Sequence, residues 1–272
     1  MAQAEIIAGK IARAWPELMI NLVKIKTSGD VNMSAFINEK PGVKGLFTLE
    51  LEQALMNHEI DFAVHSLKDL PVEINEALPI VAYSEREDPR DVLVMKDSGR
   101  VIGSSSLRRR LQLERLLPDK KIIPVRGNIN TRLRKLDEGR ELSGLVLAVS
   151  GLKRLGLENR ITRIFDVNEI LPAPGQGILA CQGRRDEDYY YLDCVNNRDS
   201  MDCAVAERSF SRSLNAGCNT PVGAYAFVRG DDLTLEGLYI DESSKKFFRG
   251  RLSGKRNEAE LLGKNLSEVI FS

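Results

Sequence analysis

The segment Gly103-Ser104-Ser105-Ser106-Leu107-Arg108-Arg109-Arg110 has the residue types to hold an anion. An apolar run ends at Gly103 and a helical pattern starts near Leu107, so Ser105 or Ser106 can act as N-cap. The amides of the first turn then form an anion-binding end. Arg108 and Arg109 fall on that same turn, where the helix dipole disfavours cations. Such a placement calls for a compensating anion, either a carboxylate or phosphate ligand or acids on the chain's surface. The arrangement recurs one βα unit later. Ile122 to Val125 reads as a strand, Arg126-Gly127-Asn128 turns into a helix capped by Asn128, and Arg132 lies one turn in. Two βα units thus aim Arg108, Arg109, Arg126 and Arg132 at one edge. Arginine suits planar, bidentate carboxylate recognition, and a ligand with several carboxylates is the simplest fit.

Three further segments carry chemistry-bearing side chains. His65-Ser66-Leu67-Lys68-Asp69-Leu70-Pro71 follows an apolar run, and Asp69 is either a turn former or a catalytic acid. Lys40 and Lys44 flank a Pro-Gly loop and can reach an anionic ligand or stay solvated. Cys218 sits in a loop after a helix, as a nucleophile or a buried apolar residue. The four cysteines show no C-x-x-C spacing and there are only two histidines. That speaks against a metal site and a disulfide framework and suits a reducing cytoplasm.

The elements that must position these groups follow from periodicity. In the middle of the chain, Val92–Met95, Val101–Gly103, Ile122–Val125 and Leu145–Val149 read as strands, with helices at Leu107–Leu117 and Ile129–Glu138 between them. This alternation predicts a parallel α/β sheet, with ligands at the carboxyl ends of its strands. Before it come a helix over 2–14, a strand over 18–26, a helix over 46–58, and buried strands over 61–65 and 78–84. After it, Ile178–Gln182 reads as one more strand. A helix over 200–214, strands over 233–240 and 246–252, and a helix over 257–270 suggest a small α+β domain. The chain has 272 residues and zero formal net charge, but residues 100–135 hold eleven Lys or Arg against two acids. That local excess fits one anionic ligand. No aromatic residue interleaves the block, which argues against nucleic acid. No apolar run reaches membrane length and no secretory leader is expected.

Together these segments resemble the porphobilinogen deaminase (hydroxymethylbilane synthase) family. The resemblance rests on Gly45-Leu46-Phe47, His65 to Glu73, Glu85 to Asp91, Ser104 to Arg109 and Arg126-Gly127-Asn128. It continues through Ala148 to Gly156, Leu171-Pro172-Ala173, Gly175-Gln176-Gly177 and Gly217-Cys218. It implies a transferase that joins four porphobilinogen units head to tail into hydroxymethylbilane, releasing ammonia, on a dipyrromethane cofactor bound to Cys218 by a thioether. By the same resemblance Asp69 is the catalytic carboxylate. Arg108, Arg109, Arg126, Arg132 and Arg160 bind the acetate and propionate groups, assisted by Ser106, Lys40 and Lys44. The implied fold is α/β, two periplasmic-binding-protein-like lobes plus a small α+β C-terminal domain. Domain 1 comprises 1–84 and 178–196, domain 2 comprises 88–174, and domain 3 comprises 198–272. A cytoplasmic monomer without metal, membrane or nucleic-acid partner is implied.

Two departures stand out. The family opens with a strand and an R-x-G-T-R-x-S-x-L-A-type loop, whereas this chain starts at Met1-Ala2-Gln3, so that first strand is expected to be lacking. The link Lys96–Arg100 is also short for the family. The rival readings are an inactive, truncated family member and a cytoplasmic ligand-binding module of the two-lobed type.

Overall fold

The computed structural model describes residues 1–25, 48–216 and 220–271. In chain order the helices are α1 (Ala2–Ala14), α2 (Leu49–Met56), α3 (Leu107–Leu116), α4 (Ile129–Glu138), α5 (Val149–Lys153), α6 (Arg198–Ser213) and α7 (Ala259–Val269). The strands are β1 (Phe62–Ser66), β2 (Ile80–Tyr83), β3 (Asp91–Met95), β4 (Val101–Gly103), β5 (Lys121–Ile123), β6 (Gly144–Ala148), β7 (Arg163–Ile164), β8 (Leu179–Gly183), β9 (Val222–Arg229), β10 (Asp232–Ile240) and β11 (Phe247–Lys255). They divide into two compact units. One comprises residues 1–85 and 178–201, the other 86–177 and 202–272.

The first unit is built on a three-stranded sheet, β1-β8-β2, with β8 in the middle and antiparallel to both neighbours. All five residues of β8 are buried, as expected for a central strand covered on both faces. Helix α1 lays Ile7 and Ile11, one turn apart on one stripe, into the core with Leu179, Cys181 and Leu192. The expected helix over 46–58 is realised over its described part, residues 48–58, as α2. Asn57 follows it, and His58 at φ 56° turns the chain out of the helix. The expected strand over 18–26 does not form over its described part, residues 18–25. That segment has no ladder partner among the described residues, and Met19, Leu22 and Val23 stay exposed. An apolar run without a partner strand does not make a sheet.

The second unit holds a five-stranded sheet in the order β5-β4-β6-β3-β7. Strands β5, β4 and β6 run parallel, while β3 is antiparallel to both β6 and β7. The expectation of a wholly parallel sheet is therefore corrected to a mixed one. The cause is the five-residue link from β3 to β4, since a parallel crossover needs a dozen residues or more. The C-terminal part is α+β as expected, with one strand more. Strands β9, β10 and β11 form an antiparallel meander, and Phe210 of α6 packs with Leu262 and Leu266 of α7 in its core. Strand β9 is hard to see in the sequence because its two central inward positions, between Val222 and Val228, are the small Ala224 and Ala226 and not large apolar residues. A smaller cluster of Leu111, Leu171, Leu238 and Ile240 ties α3 to β10.

Candidate active site

Because β5, β4 and β6 are parallel, their carboxyl ends share one edge of the sheet, and the turns into α3, α4 and α5 leave from it. Ser106 caps α3, its side chain accepting from the Arg109 amide at 3.4 Å. Asn128 caps α4, its Oδ1 accepting from the Thr131 amide at 2.9 Å. The Ser105 hydroxyl donates to Val125 O at 2.7 Å and ties the two turns together. At Gly103 a β-carbon would lie 2.5 Å from Val125 Cγ2, so only glycine lets these βα turns approach so closely.

The cations expected at this edge are present, and the anion that compensates the first turn of α3 belongs to the chain. Asp91, at the head of β3, is fully buried. Its Oδ2 accepts from Arg108 Nη2 at 2.9 Å and its Oδ1 from Arg109 Nη2 at 2.7 Å. Of the two anion sources the sequence left open, the structure supplies an acid of the chain, but a buried one where a surface acid was expected. Burial by itself raises the Asp91 carboxyl, yet Arg109 and Arg108 hold it well below the usual carboxylate range. Burial lowers the Arg108 guanidinium, with Asp91 opposing and Arg109 reinforcing the shift. One carboxylate shared by two cations gains from both, while each cation gains only part of it. The three groups keep a formal charge of +1, placed beside a helix N-terminus. Two buried polar atoms there, Ser104 Oγ and Arg109 Nε, have no partner among the described residues.

The other expected residues are distributed as follows. Arg126 is exposed and has no ion-pair partner among the described residues. Arg132 Nε donates to Gly127 O at 2.6 Å, which fixes its stem against the second turn. Arg160 ends a 3-10 turn (Glu158–Arg160) and holds Asp137 of α4 through both Nη atoms, at 2.6 and 3.2 Å. Asp69 closes the 3-10 turn Leu67–Asp69 after β1 in the other unit, and is exposed. Lys40, Lys44 and Cys218 lie outside the described residues. Among the described residues no cluster of three or more His, Cys, Asp or Glu could hold a metal ion. No described helix is long and apolar enough to cross a membrane.

Sequence reasoning passed over Asp91, Gln176 and Glu207. Gln176 Nε2 donates to Asp91 Oδ1 at 2.7 Å and to Pro89 O at 2.6 Å. Glu207, also fully buried, accepts from Arg86 Nη1 at 2.8 Å and from the amides of Gly175 and Ala226, both at 2.7 Å. It pins the turn that carries Gln176 onto α6. For Asp91 a signal existed, an acid heading an otherwise apolar strand, Asp91-Val92-Leu93-Val94-Met95. An edge with excess buried positive charge and two unpartnered polar atoms fits a group bearing several carboxylates, as a dipyrromethane does.

Comparison with known proteins agrees with this chemistry. Residues 1–191 match the family model "Porphobilinogen deaminase, dipyromethane cofactor binding domain", and residues 201–272 match the C-terminal domain of the same family. A porphobilinogen deaminase of Ruminiclostridium josui is 47% identical over 273 residues, covering 99% of this chain and 93% of the relative. One from Acetivibrio thermocellus is 46% identical, covering 97% and 92%. One from Thermus thermophilus is 41% identical, covering 100% and 91%. Among solved structures, the periplasmic VFT2 domain of Bordetella pertussis BvgS overlays 71% of this chain and 74% of its own at a TM-score of 0.38 and 16% identity, too slight to carry an argument. With both family models matched and close relatives aligned over nearly their whole length, the chain belongs to the porphobilinogen deaminase family.

Proposed function

We propose that this chain makes hydroxymethylbilane from four porphobilinogen molecules, with Asp69 as the catalytic carboxylate and Cys218 as the cofactor's anchor. The observation that carries the site reading is the buried Asp91–Arg108–Arg109 cluster, with its excess positive charge at the carboxyl edge of the sheet. When bound, the dipyrromethane supplies the pyrrole carbon on which the chain is started, and it remains as primer. Arg108, Arg109, Arg126 and Arg132 then hold acetate and propionate groups by charge-assisted hydrogen bonds, with Ser106 capping the helix that presents the first pair. Arg160 joins them by exchanging Asp137 for a ligand carboxylate, and Lys40 and Lys44 add positive charge. Loss of ammonia from the aminomethyl group leaves a cationic azafulvene. Asp69 stabilises that cation and accepts a hydrogen bond from its pyrrole N–H, work for which a fixed carboxylate is suited. Functionally the chain divides into domain 1 (1–84 and 178–196), domain 2 (88–174) and domain 3 (198–272). It works as a cytoplasmic monomer.

The test is intact-mass analysis with Ehrlich's reagent for bound pyrrole, on the wild type and on Cys218→Ser and Asp69→Asn. A dipyrromethane-sized increment is expected in the wild type and in Asp69→Asn, and its loss in Cys218→Ser. Asp69→Asn is expected to lose about 100-fold or more in ammonia release. An unmodified wild-type mass after incubation with porphobilinogen overturns the proposal, and near-normal turnover in Asp69→Asn overturns the role of that residue.

A further inference from the structure

We infer that Asp91 sets the selectivity of the arginine pair. It aligns Arg108 and Arg109 and limits their combined charge, so that the site takes a positioned organic carboxylate and does not fill with a small inorganic anion. The inference rests on the carboxylate-binding reading above.

Asp91 is held too firmly to be an incidental surface partner. It is fully buried, divides its two oxygens between the two guanidiniums, and takes a third hydrogen bond from Gln176. Gln176 is itself fixed on Pro89 O. Arg108 is held from a second side, where its Nη1 donates to Leu171 O at 2.5 Å. The carboxylate therefore dictates where both side chains point. Strand β3 carries it to the right edge, since Asp91 lies opposite Ala148, the last residue of β6. Without its charge, two buried guanidiniums would face each other beside the amino end of α3, and both the paired cations and the dipole would draw in any small anion. With it, one excess positive charge remains for a ligand that must also match the geometry. A scaffolding role alone makes the loss of Asp91 weaken all anion binding. A selectivity role makes organic substrate and inorganic anion respond in opposite directions.

Steady-state ammonia release tests this on the wild type and Asp91→Asn, giving KM for porphobilinogen and the inhibition constant of inorganic phosphate. In Asp91→Asn, KM is expected to rise by about 10- to 100-fold through misalignment. The phosphate inhibition constant is expected to fall about tenfold, because one neutralising charge a few ångströms away is gone. A KM within twofold of wild type, or phosphate inhibition that is unchanged or weaker, overturns the inference. If Asp91→Asn loses its cooperative melt, Asp91→Glu decides. It keeps the charge but shifts it by one methylene, so KM rises while phosphate inhibition holds, and an unchanged KM overturns the inference. A wild type that releases no ammonia sinks the parent reading itself, whereas normal wild-type turnover with an indifferent Asp91 sinks only this one.

Discussion

Lowering the pH from 7 to 5 should destabilise the unit that contains β1, and His65 should account for most of that loss. His65, on β1, is only 7% exposed, and its Nε2 has no hydrogen-bond partner among the described residues. Burial pushes the imidazole down from 6.5 to about 4, against a smaller opposing pull from Gln182. The sign follows from proton linkage. In this window the unfolded chain binds a proton that the folded chain refuses, so stability falls as pH falls through 6.5 and levels off near 4. With those two values the loss between pH 7 and pH 5 is about 2 kcal/mol, approaching about 3 kcal/mol by pH 4. Asp91 contributes in a separate window. Its carboxyl is lowered in the fold, so its stabilisation is complete above 3.8 and is lost only as pH falls below that value. Urea unfolding of the wild type and His65→Phe at half-unit pH steps, read by circular dichroism with a common m-value, separates the two. The phenyl ring keeps the aromatic volume and removes the titrating group. His65→Phe should flatten the curve between pH 7 and 5 and leave the steep fall below pH 4. Parallel curves for the two proteins between pH 7 and 5 would show that His65 is not the source of the loss.

Two stability predictions concern the second unit. Glu207→Gln keeps the shape but removes the charge that answers Arg86 and one of the acceptors for Gly175 and Ala226. It should cost about 3–5 kcal/mol in a urea melt, as breaking a buried ion pair does, and a loss under 1 kcal/mol would contradict that. Gly263→Ala would put a β-carbon 2.4 Å from Ala206 O and 2.7 Å from Phe210 N, so helices α6 and α7 must separate. Differential scanning calorimetry should show a lower melting temperature corresponding to about 1–3 kcal/mol, and an unchanged or raised one would mean the helices part freely.

Local order was legible wherever the chain carries its own punctuation. Strand β4, helix α4 and the start of helix α3 fall where Gly103, Ser106, Asn128 and Gly139 predict them. Each is bounded by a cap or a glycine whose effect is local. Helix α1 was equally plain, because Ile7 and Ile11 share a stripe and Pro16 follows. What the sequence could not show depends on partners distant in the chain. The residues from Leu18 to Ile25 form a largely apolar run of strand length, but a strand exists only where another accepts its hydrogen bonds. Strand β9 was hidden because Ala224 and Ala226 are small to suit a helix packed against them, a fact of tertiary structure. Glu207 looked like one more charge on a polar helix, and only the fold reveals it as fully buried.

The arginine site shows the same division. Two cations on the first turn of α3 require an anion, as the helix dipole dictates. Its identity turns on the direction of one strand. Had β3 run parallel to β6, as the alternation of strands and helices implied, Met95 would stand at the carboxyl edge and Asp91 at the opposite one. The short link of residues 96–100 forces the antiparallel course, and so brings the head of β3, with its carboxylate, against Arg108 and Arg109. A departure that looked like a trimmed loop is thus tied to the placement of the charge that organises the site.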